Sequence, residues 1–289
     1  MPISGPVPEW LLSAVAAATL FAVMFDIGLA IMPPEFRVLR RHPTLLPKAI
    51  FAVVVAVPAV AWIVARAFEL PRGTEIGVML MAIAPGAPVA LRRALDAGGH
   101  RYFAPALQIS VAALSVVSMP LFIAALNEYY AGQAAIDPRE LVRQVFLAQL
   151  LPLGLGMATR YFASAGAVWL EPKLRLLGNV LLVLLVILAL VEVWQTVLDA
   201  GIRVVLAIVV ITLLVLAVGH ALGGPEPATR TATAISSAIR NAGLALLVAT
   251  LNKAVPAITA TILAYVVISA FTVMPYLIWR RRSARNIPS

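Results

Sequence analysis

Val204-Val205-Leu206-Ala207-Ile208-Val209-Val210-Ile211-Thr212-Leu213-Leu214-Val215-Leu216-Ala217-Val218 carries one polar side chain, Thr212, and is closed by Arg203 on one side and His220 on the other. Polar residues recur along it neither at every second position, as on a half-buried strand, nor at every third or fourth, as on an amphipathic helix. A segment that is apolar all round belongs inside a large core or in lipid. Taken as a helix over 202–220 it reaches about 28 Å, close to the roughly 30 Å of bilayer hydrocarbon.

Outward from this run, eight further stretches read the same way: 11–32, 49–68, 74–91, 103–126, 141–159, 178–198, 231–250 and 257–279. A lipid-exposed backbone must close its own hydrogen bonds, so each is predicted to be helical; a barrel strand would alternate polar with apolar, and none does. The expected fold is an all-α polytopic membrane protein with nine transmembrane helices. Composition agrees: the 289 residues are 62% apolar and 12% charged, with mean hydropathy +0.98, against about 45–50% and 25% in a soluble domain. Little chain remains for a separate catalytic or nucleic-acid-binding module.

Charge sets the direction of threading. Apart from Arg240, which falls inside a span, 15 Lys and Arg lie in the odd gaps and the C-terminal tail and 6 in the even gaps. Basic residues collect on the cytoplasmic side, so the N-terminus is expected outside and the C-terminus in the cytoplasm. The net charge of +9 then reads as topology, not as nucleic-acid binding. The basic clusters Arg40-Arg41-His42 and Arg280-Arg281-Arg282 are expected to touch anionic headgroups. The first ten residues hold no Lys or Arg, so the first span does not read as a cleavable signal peptide. The compact chain and its Ala-, Arg- and Pro-rich usage point to a bacterial inner membrane.

Several chemistries are excluded. There is no Cys, and His42, His100 and His220 share neither helical spacing nor a carboxylate cluster, so no metal and no cofactor is expected. No phosphate-binding Gly-rich loop, zinc-helix motif or Gly-x-Ser-x-Gly elbow occurs, which argues against ATP-driven pumping and against an enzyme.

Two spans are interrupted in mid-membrane. Pro85-Gly86-Ala87-Pro88 removes two backbone donors inside the third, so the helix is predicted to break there. Ser236-Ser237-Ala238-Ile239-Arg240-Asn241-Ala242-Gly243 is a polar, helix-poor centre in the eighth. Broken helices at the midplane present freed carbonyls and half-helix N-termini to a solute; a plain packing kink is the alternative. Arg240 lies too deep to snorkel to either interface and needs a partner or a water-filled cavity. Asp26 and Glu192 are further charges within spans, and Arg92 and Arg93, one to two turns beyond the Pro break, either face a cytoplasmic vestibule or serve topology. Gly219-x-x-x-Gly223 permits close helix packing.

Met24-Phe25-x-x-Gly28-Leu29, Pro85-Gly86, Leu222-Gly223-Gly224 and Arg240-Asn241-Ala242-Gly243-Leu244-Ala245, in this order, resemble the bile acid:sodium symporter family over nearly the whole chain. The resemblance implies two inverted repeats, two unwound helices that cross, a panel domain (1–45 and 138–200) and a core domain (46–127 and 201–279), followed by a basic tail (280–289), in the version lacking the first of ten helices. It also implies sodium-ligand positions, and these have changed. The family's Ser and Asn after the Pro-Gly fall at Ala90 and Leu91, the Ser and Thr of the next helix at Ala104 and Gln108, and the acid and Gln of the second unwound helix at Ser236 and Arg240. Sodium wants several hard oxygens, preferably with a carboxylate. Only Gln108 and Ser236 still offer a side-chain oxygen, beside a guanidinium.

The expectation is therefore a secondary transporter of a small or amphipathic organic anion, working by alternating access without sodium. Its substrate site is expected to draw on Arg240, Asn241, Ser236, Ser237, Gln108, Asp26, Arg92 and Arg93, with the backbone of Pro85, Gly86, Ala87, Pro88 and Gly243. Sodium symport, with backbone carbonyls and Gln108 as ligands, and a non-transporting membrane receptor are the alternatives. The expected partners are a small-molecule anion and the lipid bilayer, with no nucleic acid.

Overall fold

The computed structural model describes residues 8–30, 44–130, 137–199, 201–252 and 254–285, and all of its regular elements are helices. They are α1 (Glu9–Ala30), α2 (Leu45–Ala67), α3 (Arg72–Ile83), α4 (Pro88–Asp96), α5 (Phe103–Tyr129), α6 (Arg139–Phe162), α7 (Ser164–Asp199), α8 (Gly201–Leu222), α9 (Pro227–Ala238), α10 (Ala242–Leu251) and α11 (Pro256–Arg285).

Nine transmembrane helices were expected. Among the described residues, seven runs are long and apolar enough to cross a membrane, counting α9 and α10 as one, and the bent pair α3–α4 makes an eighth. The span expected at 178–198 lies on α7, whose third and fourth turns carry Glu171, Lys173 and Arg175; its side chains at 189, 190 and 192–199, Glu192 included, lie outside the described residues. The expected third span, 74–91, is two helices meeting at 62°.

The chain divides into two compact units. One comprises Met1–Met32, Val116–Ala200 and Ala242–Leu263. Within it α1 packs along α6 and α7. The crossing of α1 and α6 is glycine on both sides: a Cβ on Gly28 would stand against Leu153 O and 2.8 Å from the Cα of Gly156. In this unit Asp26, 2% exposed, lies 3.8 Å from Nε of Arg175, whose Nη2 donates to Glu171.

The other unit comprises Pro33–Ser115, Gly201–Asn241 and Ala264–Ser289. Here α8 packs on α9 through the Gly219-x-x-x-Gly223 pair, since a Cβ on Gly219 would lie 2.7 Å from the Cα of Ala234 and one on Gly223 3.0 Å from the nitrogen of Arg230. At the end of α11 the basic run turns partly inward, not wholly to headgroups: buried Arg280 donates to Thr231 Oγ1 at 2.7 Å and Pro227 O at 2.9 Å, and Arg281 lies 3.4 Å from Asp96 Oδ2. Arg282 is exposed, and Arg40-Arg41-His42 lies outside the described residues.

Candidate functional site

Both interruptions lie within the second unit as far as Asn241. The α3–α4 break occupies residues 84–87, and two of its members precede a proline. A residue before proline is driven from the helical region, and Ala84 (ψ 80°) and Ala87 (ψ 124°) are so placed. Between them Gly86 takes φ +79°, which costs a glycine nothing and other residues appreciably. Pro88 then starts α4 at a first-turn position, where its missing N–H is harmless.

The second break, Ile239–Asn241, has no proline. Tertiary bonds hold it open. Ile239 is extended (φ −92°, ψ 107°), and the backbone N–H of Asn241 donates to Ala84 O at 2.9 Å; within α9 the Ser237 hydroxyl donates to Thr233 O at 2.9 Å. The two interruptions are thereby joined main chain to main chain.

Arg240, 4% exposed, reaches from the second break to three carbonyls. Nε donates to Met81 O at 3.3 Å, Nη1 to Val53 O at 3.1 Å, and Nη2 to Ala82 O. Each acceptor has lost its ordinary helical donor for a reason written in the sequence. Met81 O loses its helical donor at Pro85 and accepts instead from Ala84 N–H at 3.2 Å, so Arg240 is its second donor; Ala82 O would close on Gly86 beyond the break, and that bond does not form. Val53 lies in a π-turn, Ala52–Ala56, in which Val57 N–H bonds to Ala52 O, so Val53 O comes next in register and meets Pro58, which has no N–H. Proline thus frees Val53 O outright and takes the helical donor from Met81 O. The end of α3 adds the partial negative charge of a helix C-terminus, which favours a cation.

Three charge-assisted bonds at about 1.5–3 kcal/mol each offset the cost of a mid-membrane guanidinium, which runs from about 2.5–3.5 kcal/mol on insertion scales to above 10. Among the described residues the partners of Arg240 are carbonyls, not carboxylates. A guanidinium has five N–H donors, so two remain, enough for one carboxylate or sulfonate.

Gln108, 2% exposed, donates from Nε2 to Gly86 O at 2.6 Å, and its Oε1 has no partner among the described residues. Ser236 and Ser237 are buried on α9. The structure therefore gathers Arg240, Asn241, Ser236, Ser237 and Gln108 with Pro85, Gly86, Ala87 and Pro88 in one unit. Asp26 lies in the other unit beside Arg175, and Gly243, the second residue of α10, is assigned there too. Arg92 is half-buried and Arg93 exposed on α4. Sequence reasoning missed Val53, Met81 and Ala82, because their contribution is main-chain; the available signal was Pro58 inside an apolar span. It also missed Glu75, a buried carboxylate 3.9 Å from Arg66.

A family model described as Sodium Bile acid symporter family matches residues 17–200, well over half of the chain. The chain belongs to the sodium bile acid symporter family. One relative, named "Uncharacterized sodium-dependent transporter YocS", from Bacillus subtilis (strain 168), is 26% identical over 165 residues, which cover 56% of this chain and 50% of that protein. The chain thus spans about half the length of the curated relative it matches. In the family frame the guanidinium of Arg240 stands where the resemblance puts a glutamine.

Restoring the N–H at 58 tests the proline logic. In Pro58→Ala, Val57 N–H can close on Val53 O in an ordinary helical turn, taking that acceptor from Arg240. Uptake is expected to fall about tenfold, the equivalent of about 1.4 kcal/mol, with little change in the melting midpoint because the helix gains what Arg240 loses. In a double-mutant cycle with Arg240→Gln the two effects should not add; full additivity would show that Pro58 acts elsewhere.

Proposed function

We propose that this protein is a secondary transporter that carries a small or amphipathic organic anion by alternating access, and that the Arg240 guanidinium takes the cation position that sodium fills in relatives. The observation that supports this reading is the buried guanidinium of Arg240 held by Val53 O, Met81 O and Ala82 O at the joined helix breaks. Those are the hard oxygens a cation would seek. A sodium ion 4–6 Å away would be repelled by about 3–4 kcal/mol at an effective dielectric near 20. The proposal keeps the nine-helix, inverted-repeat plan, with a panel of residues 1–45 and 138–200 and a core of 46–127 and 201–279. It places the protein in a bacterial inner membrane with its N-terminus outside. Arg92 and Arg93 belong to the outer contacts of the anion.

A tethered cation has a kinetic consequence. A loaded carrier moves a neutral pair, while an empty one moves an unpaired Arg240. If that difference is about 3 kcal/mol, empty return is slowed roughly 10²-fold, and exchange of anions outruns net uptake. The competing reading, sodium symport, draws on the name of the Bacillus relative. Proteoliposomes separate the two. Counterflow of a labelled organic acid, with cholate as first probe, is expected to proceed at equal rates in sodium and in choline media. Uptake that requires an inward sodium gradient overturns the proposal.

A further inference from the structure

The unit containing α6 repeats, in sequence, the device that frees Val53 O. Residues Phe146–Leu150 form a second π-turn, in which Leu151 N–H bonds to Phe146 O and Pro152 follows. Leu147 O, next in register, meets the nitrogen of Pro152 and has no main-chain donor in either ladder. In the other unit an arginine supplies the missing donor. Here the turn holds Gln149, 0% exposed, whose Oε1 and Nε2 both lack a partner among the described residues. One turn earlier, Gln144 Oε1 is satisfied by Asn252 Nδ2 at 3.3 Å, so the neighbouring amide is met and this one is not.

A fully buried primary amide with neither end bonded lowers stability, and a leucine of similar volume would avoid that cost. Such a group, fully buried on the turn, is complementary to something that binds there. The unmet set on the buried side chain is one acceptor, Gln149 Oε1, and one donor group, Nε2. A carboxylate brings no hydrogen to Oε1, and an ammonium brings nothing for Nε2. A hydroxyl or a carboxamide answers both.

We infer that the π-turn of α6 is a second polar site, centred on Gln149, that takes an uncharged hydroxyl or carboxamide group of the solute. It rests on the transport reading for the existence of a solute, but not on how Arg240 acts. A site built to bond a hydroxyl rejects the analogue that lacks it.

The test compares matched acids on the purified full-length protein: cholate with 5β-cholanate, mandelate with phenylacetate, and succinamate with butyrate. The polar member of at least one pair is expected to bind ten or more times tighter. Gln149→Leu should bring that member down to its apolar partner while raising the melting midpoint by about 2–4 °C. Gln149→Met serves if the leucine variant does not fold. Equal binding within every pair, no saturable binding of any probe, or a preference that survives both substitutions overturns the inference; a stabilised variant with unaltered preference assigns the amide to water alone. None of these outcomes touches the sodium-independence of counterflow, so the two readings fail separately.

Discussion

Arg240→Met is expected to cut uptake at least 100-fold while moving the melting midpoint in detergent by only a few degrees. The two sides of the stability balance nearly cancel. Removing the guanidinium orphans Val53 O and Ala82 O, at about 1–3 kcal/mol each, and leaves Met81 O with its bond from Ala84 N–H. It also relieves the cost of a charge at membrane depth, about 2.5–3.5 kcal/mol or more, and methionine refills much of the space with an adaptable chain. Transport has no such compensation, because the fixed positive charge has gone; about 3 kcal/mol of lost anion stabilisation is roughly 10² in rate. Arg240→Gln, which restores the residue expected from the resemblance, should fail in the same way in sodium-free medium. Arg240→Lys keeps the charge but cannot span three carbonyls from one ammonium, so it should recover only part of the uptake. Unchanged uptake in Arg240→Gln would falsify the proposed role.

The membrane fold was legible because lipid tolerates so few backbones: once 204–218 reads as apolar on every side, helix follows. The break at 84–87 was equally legible, since two pre-proline residues and one glycine determine it locally. The break at 239–241 showed only as a polar, helix-poor patch, because what opens it is distant in sequence: Ala84 O, Met81 O, Ala82 O and Val53 O. The partners of Arg240 were invisible for a deeper reason. A sequence displays side chains, and a search for a counter-ion looks for Asp or Glu; here the counter-charge is a set of carbonyls released by Pro58, Pro85 and the end of α3. Asp26, an acid within a span, pairs with Arg175 across the α1–α7 contact. The span expected at 178–198 on α7 is not among the eight, because much of it lies outside the residues whose side chains are described.

Gly156→Val is the second substitution expected to act strongly, and it tests what Gly28 in the Met24-Phe25-x-x-Gly28-Leu29 motif is for. A Cβ on Gly156 would strike Phe25 O and stand 2.9 Å from the Cα of Gly28 and 3.0 Å from Leu29 N. All three are backbone atoms, so no rotamer change relieves the clash and the helices must part. Membrane helices associate through van der Waals contact and close backbone approach, not through a hydrophobic drive; separating them therefore removes the interaction itself. Overpacking costs about 1–3 kcal/mol, and 1 kcal/mol shifts a midpoint by about 2–4 °C in a domain of 150–250 residues, so a fall of about 5–10 °C in detergent is expected. Gly154 supplies the control two residues away. A Cβ there meets nothing within 4 Å, and Gly154→Val changes the same helix by the same residue without touching α1. Its midpoint should stay within about 2 °C of wild type. Equal losses in the two variants would mean that valine harms α6 by helix propensity alone, and the glycine crossing would then have no part in holding α1.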